Sequence, residues 1–250
     1  MYAAKQPLNI KFLYKKKTVW KSLIFLFPIL FIFSIIIIKC LSPWSYRLII
    51  WREDSPMEFA TSIVYFFSFI ISFSISSTFF KRKFFLSSTV YFILSIGFMF
   101  LCWEEISWSQ RIFNMELPNF FITHHRIKEI NIHNISGFAL NRLYMIVGFC
   151  GAFAWLIIPN RILKARQIAK FNIVLPDYLL FFYFFTVFAL YLYCDYLSSM
   201  TAALFGGQFG WGKGHFIVRQ DQKPAEFLLS CGLLFFMLIN KIKQNNWKKS

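Results

Sequence analysis

The stretch CWEEISWSQRIF, residues 102–113, places two adjacent carboxylates, Glu104 and Glu105, at the end of a long apolar run, with two tryptophans and Arg111 beside them. A carboxylate at such a boundary can act as a general base or a metal ligand, and a nearby guanidinium can hold a phosphate or a second carboxylate. The plainer alternative is an interfacial salt bridge from Arg111 to either glutamate. A capping role does not account for the pair, because the C-terminal end of a helix is its negative pole. If the helix continues, Glu104 and Trp108 share a face, as do Ser107 and Arg111.

Further acid–base residues recur at similar boundaries. In WREDSPMEFATS, Asp54 or Ser55 can cap a helix that has Pro56 in its first turn. Capping explains Asp54, but Glu58 already has apolar neighbours on both sides, where an ionisable group is costly and often functional. Glu226 opens the last apolar run in RQDQKPAEFLLS. In LPNFFITHHRIKEINIHNISGF, His125, Glu129 and His133 fall on one helical stripe, a donor set suited to zinc or a related divalent metal. Surface histidines on an interfacial helix are the alternative. The glycine-rich GGQFGWGKGHF matches GxxxxGK over 207–213, but Gly214 stands where a phosphate loop needs Ser or Thr. This segment is therefore read as a lid or re-entrant loop, whose amides and Lys213 could hold a lipid phosphate.

The elements that must carry these groups are membrane helices. Of 250 residues, 58% are apolar and 15% charged, with 35 phenylalanines and a mean hydropathy of +0.55. That balance suits lipid as a solvent. The continuous apolar runs predict an all-α, polytopic bundle of about six spans, near 22–41, 57–80, 84–103, 135–158, 174–194 and 225–241. A short interfacial helix is expected around 118–134. Residues 1–250 form one integral-membrane domain, with basic tails at 1–21 and 242–250. The first run lacks a small-x-small cleavage site and reads as a retained signal anchor. No repeat relates the two halves.

Charge sets the orientation. With the N-terminus inside, most of the 27 basic residues lie in cytoplasmic segments, including Lys81-Arg82-Lys83 and the cluster from Arg161 to Lys170. The C-terminus is then also inside. All four histidines, and every acid except Asp177, fall on the other side. Topology thus accounts for the net charge of +16, and nucleic-acid binding is not expected. The five cysteines lie in or beside apolar runs without metal-type spacing, so neither a disulfide framework nor cysteine-ligated zinc is inferred.

The motifs EDSPMEFATSIVYF, WEEISWSQRIF and EINIHN resemble those of a group of bacterial multi-pass inner-membrane proteins without assigned activity. That group carries an acidic start to an early span, EEISWGQRIFG, and a segment ending N-x-H-N. The likeness covers about 53–138, with Ser109 and Asn114 replacing expected glycines. It implies a multi-pass protein of the bacterial inner membrane. At class level, Glu104-Glu105 is similar to the start of the EExxxR motif of CAAX-type intramembrane proteases, although Arg111 comes two residues late and no FxxxH follows. The EF-x-TS around Glu58 resembles alkaline-ceramidase-like hydrolases, whose His-bearing last helix has no counterpart here.

Together these features lead to the expectation of a membrane-embedded hydrolase or transferase acting on a lipid or lipid-linked substrate at the extracytoplasmic face. Its site would contain Glu58, Glu104, Glu105, Arg111, His133 and Glu226, with His125, Glu129 and His133 available to a metal such as zinc. A non-catalytic assembly or accessory subunit is one alternative. A transporter is another, and for it the spans offer mainly Ser68, Ser72, Ser74 and Ser76 as polar residues. The sharpest geometric expectation is that Glu58, Glu105, His133 and Glu226 converge. Arg52, Arg111, Arg142 and the histidines are the expected counter-charges.

Overall fold

In the computed structural model, residues 10–52, 55–106, 140–157, 175–197 and 221–246 are described. These residues are helical, joined by turns and short extended stretches, with no strand among them. The helices are α1 (Ile10–Leu41), α2 (Pro43–Tyr46), α3 (Pro56–Lys81), α4 (Phe85–Glu105), α5 (Leu140–Phe153), α6 (Phe181–Leu192) and α7 (Gln222–Asn246). A π turn, Arg47–Trp51, extends α2, so the segment after the first span is helical. A 3-10 turn, Ala154–Ile157, follows α5. Another, Tyr178–Leu180, leads into α6, and a π turn, Tyr193–Leu197, follows it.

Among the described residues, four stretches are long and apolar enough to cross a membrane: Val19–Leu41, Pro43–Lys81, Phe85–Glu105 and Gln222–Asn245. The apolar helix Tyr178–Leu192 is shorter. The last helix extends beyond the expected 225–241 at both ends. The expected interfacial helix around 118–134 lies outside the described residues.

Two antiparallel pairs form the bundle. α3 packs along α4, α5 packs along α6, and α7 lies against both α3 and α6. α1 leans on α6 and α7. Its Ile24 carbonyl accepts a hydrogen bond from the Tyr183 hydroxyl at 2.9 Å, and its Phe31 ring lies tilted 5.2 Å from that of Phe227. Only 6% of its most apolar stretch is buried. A helix this apolar and this exposed requires lipid around it.

The α3–α4 pair buries a line of serines beside Ile75, Phe79 and Phe98, and turns other phenylalanines outward. Ser62, Ser68, Ser72 and Ser76 are buried, while Phe66, Phe67, Phe73 and Phe80 face outward. In lipid, apolar burial gives helices little reason to associate, and close packing with interhelical hydrogen bonds replaces it. The Ser72 hydroxyl donates to the Tyr91 carbonyl at 2.8 Å, and Ser76 to that of Ser88 at 2.8 Å. Ser68 bonds within its own helix, to Val64 at 2.9 Å. Three of the four serines expected as a polar path are thus tied to the backbone, while the exposed Ser74 hydroxyl accepts from Lys241 Nζ at 2.8 Å. The α5–α6 pair instead uses small residues. A Cβ on Gly148 would sit 2.8 Å from the Phe188 backbone nitrogen and 2.9 Å from the Phe184 carbonyl, so only glycine allows this approach.

The turn between α3 and α4 ends α3 in a Schellman motif. Phe84 N–H donates to the Phe79 carbonyl at 3.0 Å and Lys83 N–H to that of Phe80 at 2.9 Å, with the Phe79 and Phe84 rings edge to face at 6.3 Å. Lys83 takes the left-handed conformation, φ 61°, which costs a side-chain-bearing residue about 1–2 kcal/mol.

A candidate carboxylate–tyrosine site

The ends of several helices meet at one end of the bundle. α4 finishes there at Glu105, with Ile106 as its C-cap in a non-helical conformation. The helical continuation that would align Glu104 with Trp108 therefore stops, and Ser107, Trp108 and Arg111 lie outside the described residues. The Ser62 hydroxyl donates to the Cys102 carbonyl at 2.9 Å and lies 3.3 Å from its sulfur. This fixes the last turn of α4 against α3.

Glu58 requires a correction. Capping accounts for it well. The Ser55 hydroxyl accepts from Glu58 N–H at 3.4 Å, and Glu58 Oε2 accepts from Ser55 N–H at 3.0 Å, a reciprocal capping box. Its other oxygen pairs with Lys223 Nζ at 2.7 Å. The counter-charge is thus Lys223, which the expected set omitted. Arg52 contributes its carbonyl, 3.1 Å from Lys223 Nζ, and Arg142 is exposed. The signal for Lys223 was available, since it stands three residues before Glu226 and shares a helical face with it.

Of the set expected to converge, Glu58, Glu105 and Glu226 are among the described residues. Glu105 interacts electrostatically with Glu226, Glu58, Glu104 and Lys223. Glu104 is only 3% exposed. Glu226 accepts a hydrogen bond from the Tyr191 hydroxyl. His133, the fourth expected member, lies outside the described residues, as do His125 and Glu129. Among the described residues, no group of three or more His, Cys, Asp or Glu side chains is arranged to hold a metal ion.

Sequence reading missed the tyrosines. Tyr65, Tyr144 and Tyr191 are buried among the acids. Tyr65 interacts with Glu105 and Glu226, Tyr144 with Glu105, Glu226 and Glu104, and Tyr191 with Glu226 and Glu105. The Tyr144 and Tyr191 rings lie 5.7 Å apart. Tyr65 is 0% exposed, and its hydroxyl has no hydrogen-bond partner among the described residues. A buried hydroxyl of this kind is costly unless a further group supplies the bond. The available signal was spacing, because Tyr65 stands seven residues after Glu58 on one face of α3.

A second polar knot closes the neighbouring edge. Lys39, near the end of α1, pairs with Asp221 at 2.6 Å, and the Tyr46 hydroxyl donates to the same carboxylate. α1, α2 and the start of α7 are thereby joined. No family model matches the chain, and neither a curated protein nor a solved structure matches it.

Proposed function

We propose that this chain is a membrane-embedded hydrolase or transferase of the bacterial inner membrane, acting on a lipid or lipid-linked substrate at the extracytoplasmic end of its bundle. The carrying observation is the meeting of buried Glu104 and half-buried Glu105 and Glu226 with three buried tyrosines, one of whose hydroxyls has no partner among the described residues. General acid–base chemistry needs a proton acceptor and a proton donor in a site shielded from bulk water. In this reading Glu105 takes the proton from the attacking hydroxyl. The Tyr191–Glu226 pair returns one to the leaving oxygen, and Tyr65 donates a hydrogen bond to the substrate. Arg111 would hold a phosphate or carboxylate, and His133 would complete the site. A metal would rest on His125, Glu129 and His133.

The serines tied into the α3–α4 contact argue against a polar path and so against transport. A non-catalytic accessory role draws support from Glu58 and Asp221, both engaged in structural pairs. Lipid analysis of cells lacking the chain, and of cells complemented with wild type, Glu105→Gln or Tyr65→Phe, distinguishes the two. The enzyme reading expects a lipid species that accumulates without the chain, disappears with wild type, and persists with a normally inserted Glu105→Gln protein. Restoration of the wild-type lipid profile by Glu105→Gln would refute it.

A further inference from the structure

At the opposite end of the bundle, α3 and α4 enclose an open groove of about 480 Å³. That volume is ample for part of a lipid-sized ligand. Its lining changes character along α3. Phe73, Ser77 and Lys81 follow one another at four-residue intervals, so they lie along one face. Facing them on α4 are Phe92 and then Thr89. Ser76 and Ser88 form the shared wall, bonded to each other's carbonyls at 2.8 and 3.0 Å. The groove therefore runs from aromatic, through hydroxyl-bearing, to cationic. A phospholipid has the same order from acyl chain, through glycerol ester, to phosphate.

Charge identifies the kind of phospholipid. Lys81 leads into Arg82 and Lys83, and among the described residues none of the three has an acidic partner, whereas Lys39 and Lys223 at the other end are paired with Asp221 and Glu58. Lys83 keeps its cation in a left-handed position where glycine is the unstrained occupant. Basic pockets between membrane helices on the cytoplasmic side are suited to anionic head groups. We infer that the groove between α3 and α4 is a binding site for one anionic phospholipid, with its acyl chain against Phe73 and Phe92 and its phosphate at Lys81. This site is independent of the carboxylate cluster.

The test uses the full chain in nanodiscs of equal phosphatidylglycerol and phosphatidylcholine, followed by native mass spectrometry of the lipid retained on release into detergent. Wild type should retain one phosphatidylglycerol in preference to phosphatidylcholine. Lys81→Gln should reduce that preference about fivefold, as expected for loss of one basic residue at the membrane surface. Lys21→Gln, which removes a cation elsewhere, should leave it unchanged. Ser77→Phe should block the groove and abolish retention while the melting temperature stays near wild type. Equal retention of both lipids by wild type would overturn the proposal. So would equal losses in Lys81→Gln and Lys21→Gln, which would mean diffuse attraction to the surface. Covalent dimerisation of a Ser77→Cys variant, showing a second copy in the groove, would overturn it too.

Discussion

Replacing Lys223 by methionine removes the ammonium that joins the start of α7 to the start of α3. The stem packs as before, but Glu58 loses a 2.7 Å ion pair and the Arg52 carbonyl loses its 3.1 Å donor. The two side chains are 17% and 20% exposed, between an open surface pair, worth about 0–1 kcal/mol, and a fully buried one, whose breakage costs about 3–5. Lys223→Met should therefore destabilise by about 2 kcal/mol. Glu58→Gln should cost about 1 kcal/mol, because glutamine can still accept from Ser55 N–H and preserve the capping box. The double variant should cost about 2 kcal/mol, less than the sum of the singles, leaving a coupling of about 1 kcal/mol. Unfolding of all four proteins by SDS titration in mixed micelles measures the cycle. A coupling below about 0.3–0.5 kcal/mol, the scatter expected of independent sites, would refute the pair as a structural tie.

Gly148→Val should separate α5 from α6 and lower stability by several kcal/mol, of order 3, since the clash is with backbone that cannot turn aside. Gly97→Ala is the control: nothing lies within 4 Å of the added Cβ, so thermal unfolding should show a gain of about 0.5–1 kcal/mol from helix propensity. For orientation, a cysteine at position 83 should react with a membrane-impermeant maleimide only after the cells are opened. Reaction in intact spheroplasts would reverse the proposed sidedness.

Much of this architecture was legible because lipid imposes coarse rules. A run of apolar residues must become a helix, and charges must gather where helices end. Those two constraints were enough to bring Glu58, Glu105 and Glu226 to one level before any contact was known. They did not distinguish roles at that level. Glu58 reads as an anomalous intramembrane acid until Ser55 is seen to complete its capping box. Lys223 reads as part of a loop, because the helix that carries it starts before the apolar run does. The tyrosines were hidden by composition: among 35 phenylalanines, an aromatic in a span carries little information. Only the fold reveals which rings bear a buried hydroxyl beside a carboxylate. The serines failed differently. Their four-residue spacing at 68, 72 and 76 was visible, but spacing alone cannot separate a polar lining from a helix contact.

The position of α7 has a consequence for biosynthesis. It is the helix that touches both antiparallel pairs, and it supplies Lys223 and Glu226. The other described helices precede it in the chain and leave the ribosome first. Until α7 enters the bilayer, Glu58 lacks its ammonium, Tyr191 lacks its acceptor and the two pairs have little to hold them together. A nascent chain arrested before Gln222 would thus hold its acids in an unfinished site, and such intermediates are natural targets for membrane chaperones and proteases. Maturation of the site is timed by the arrival of one late helix.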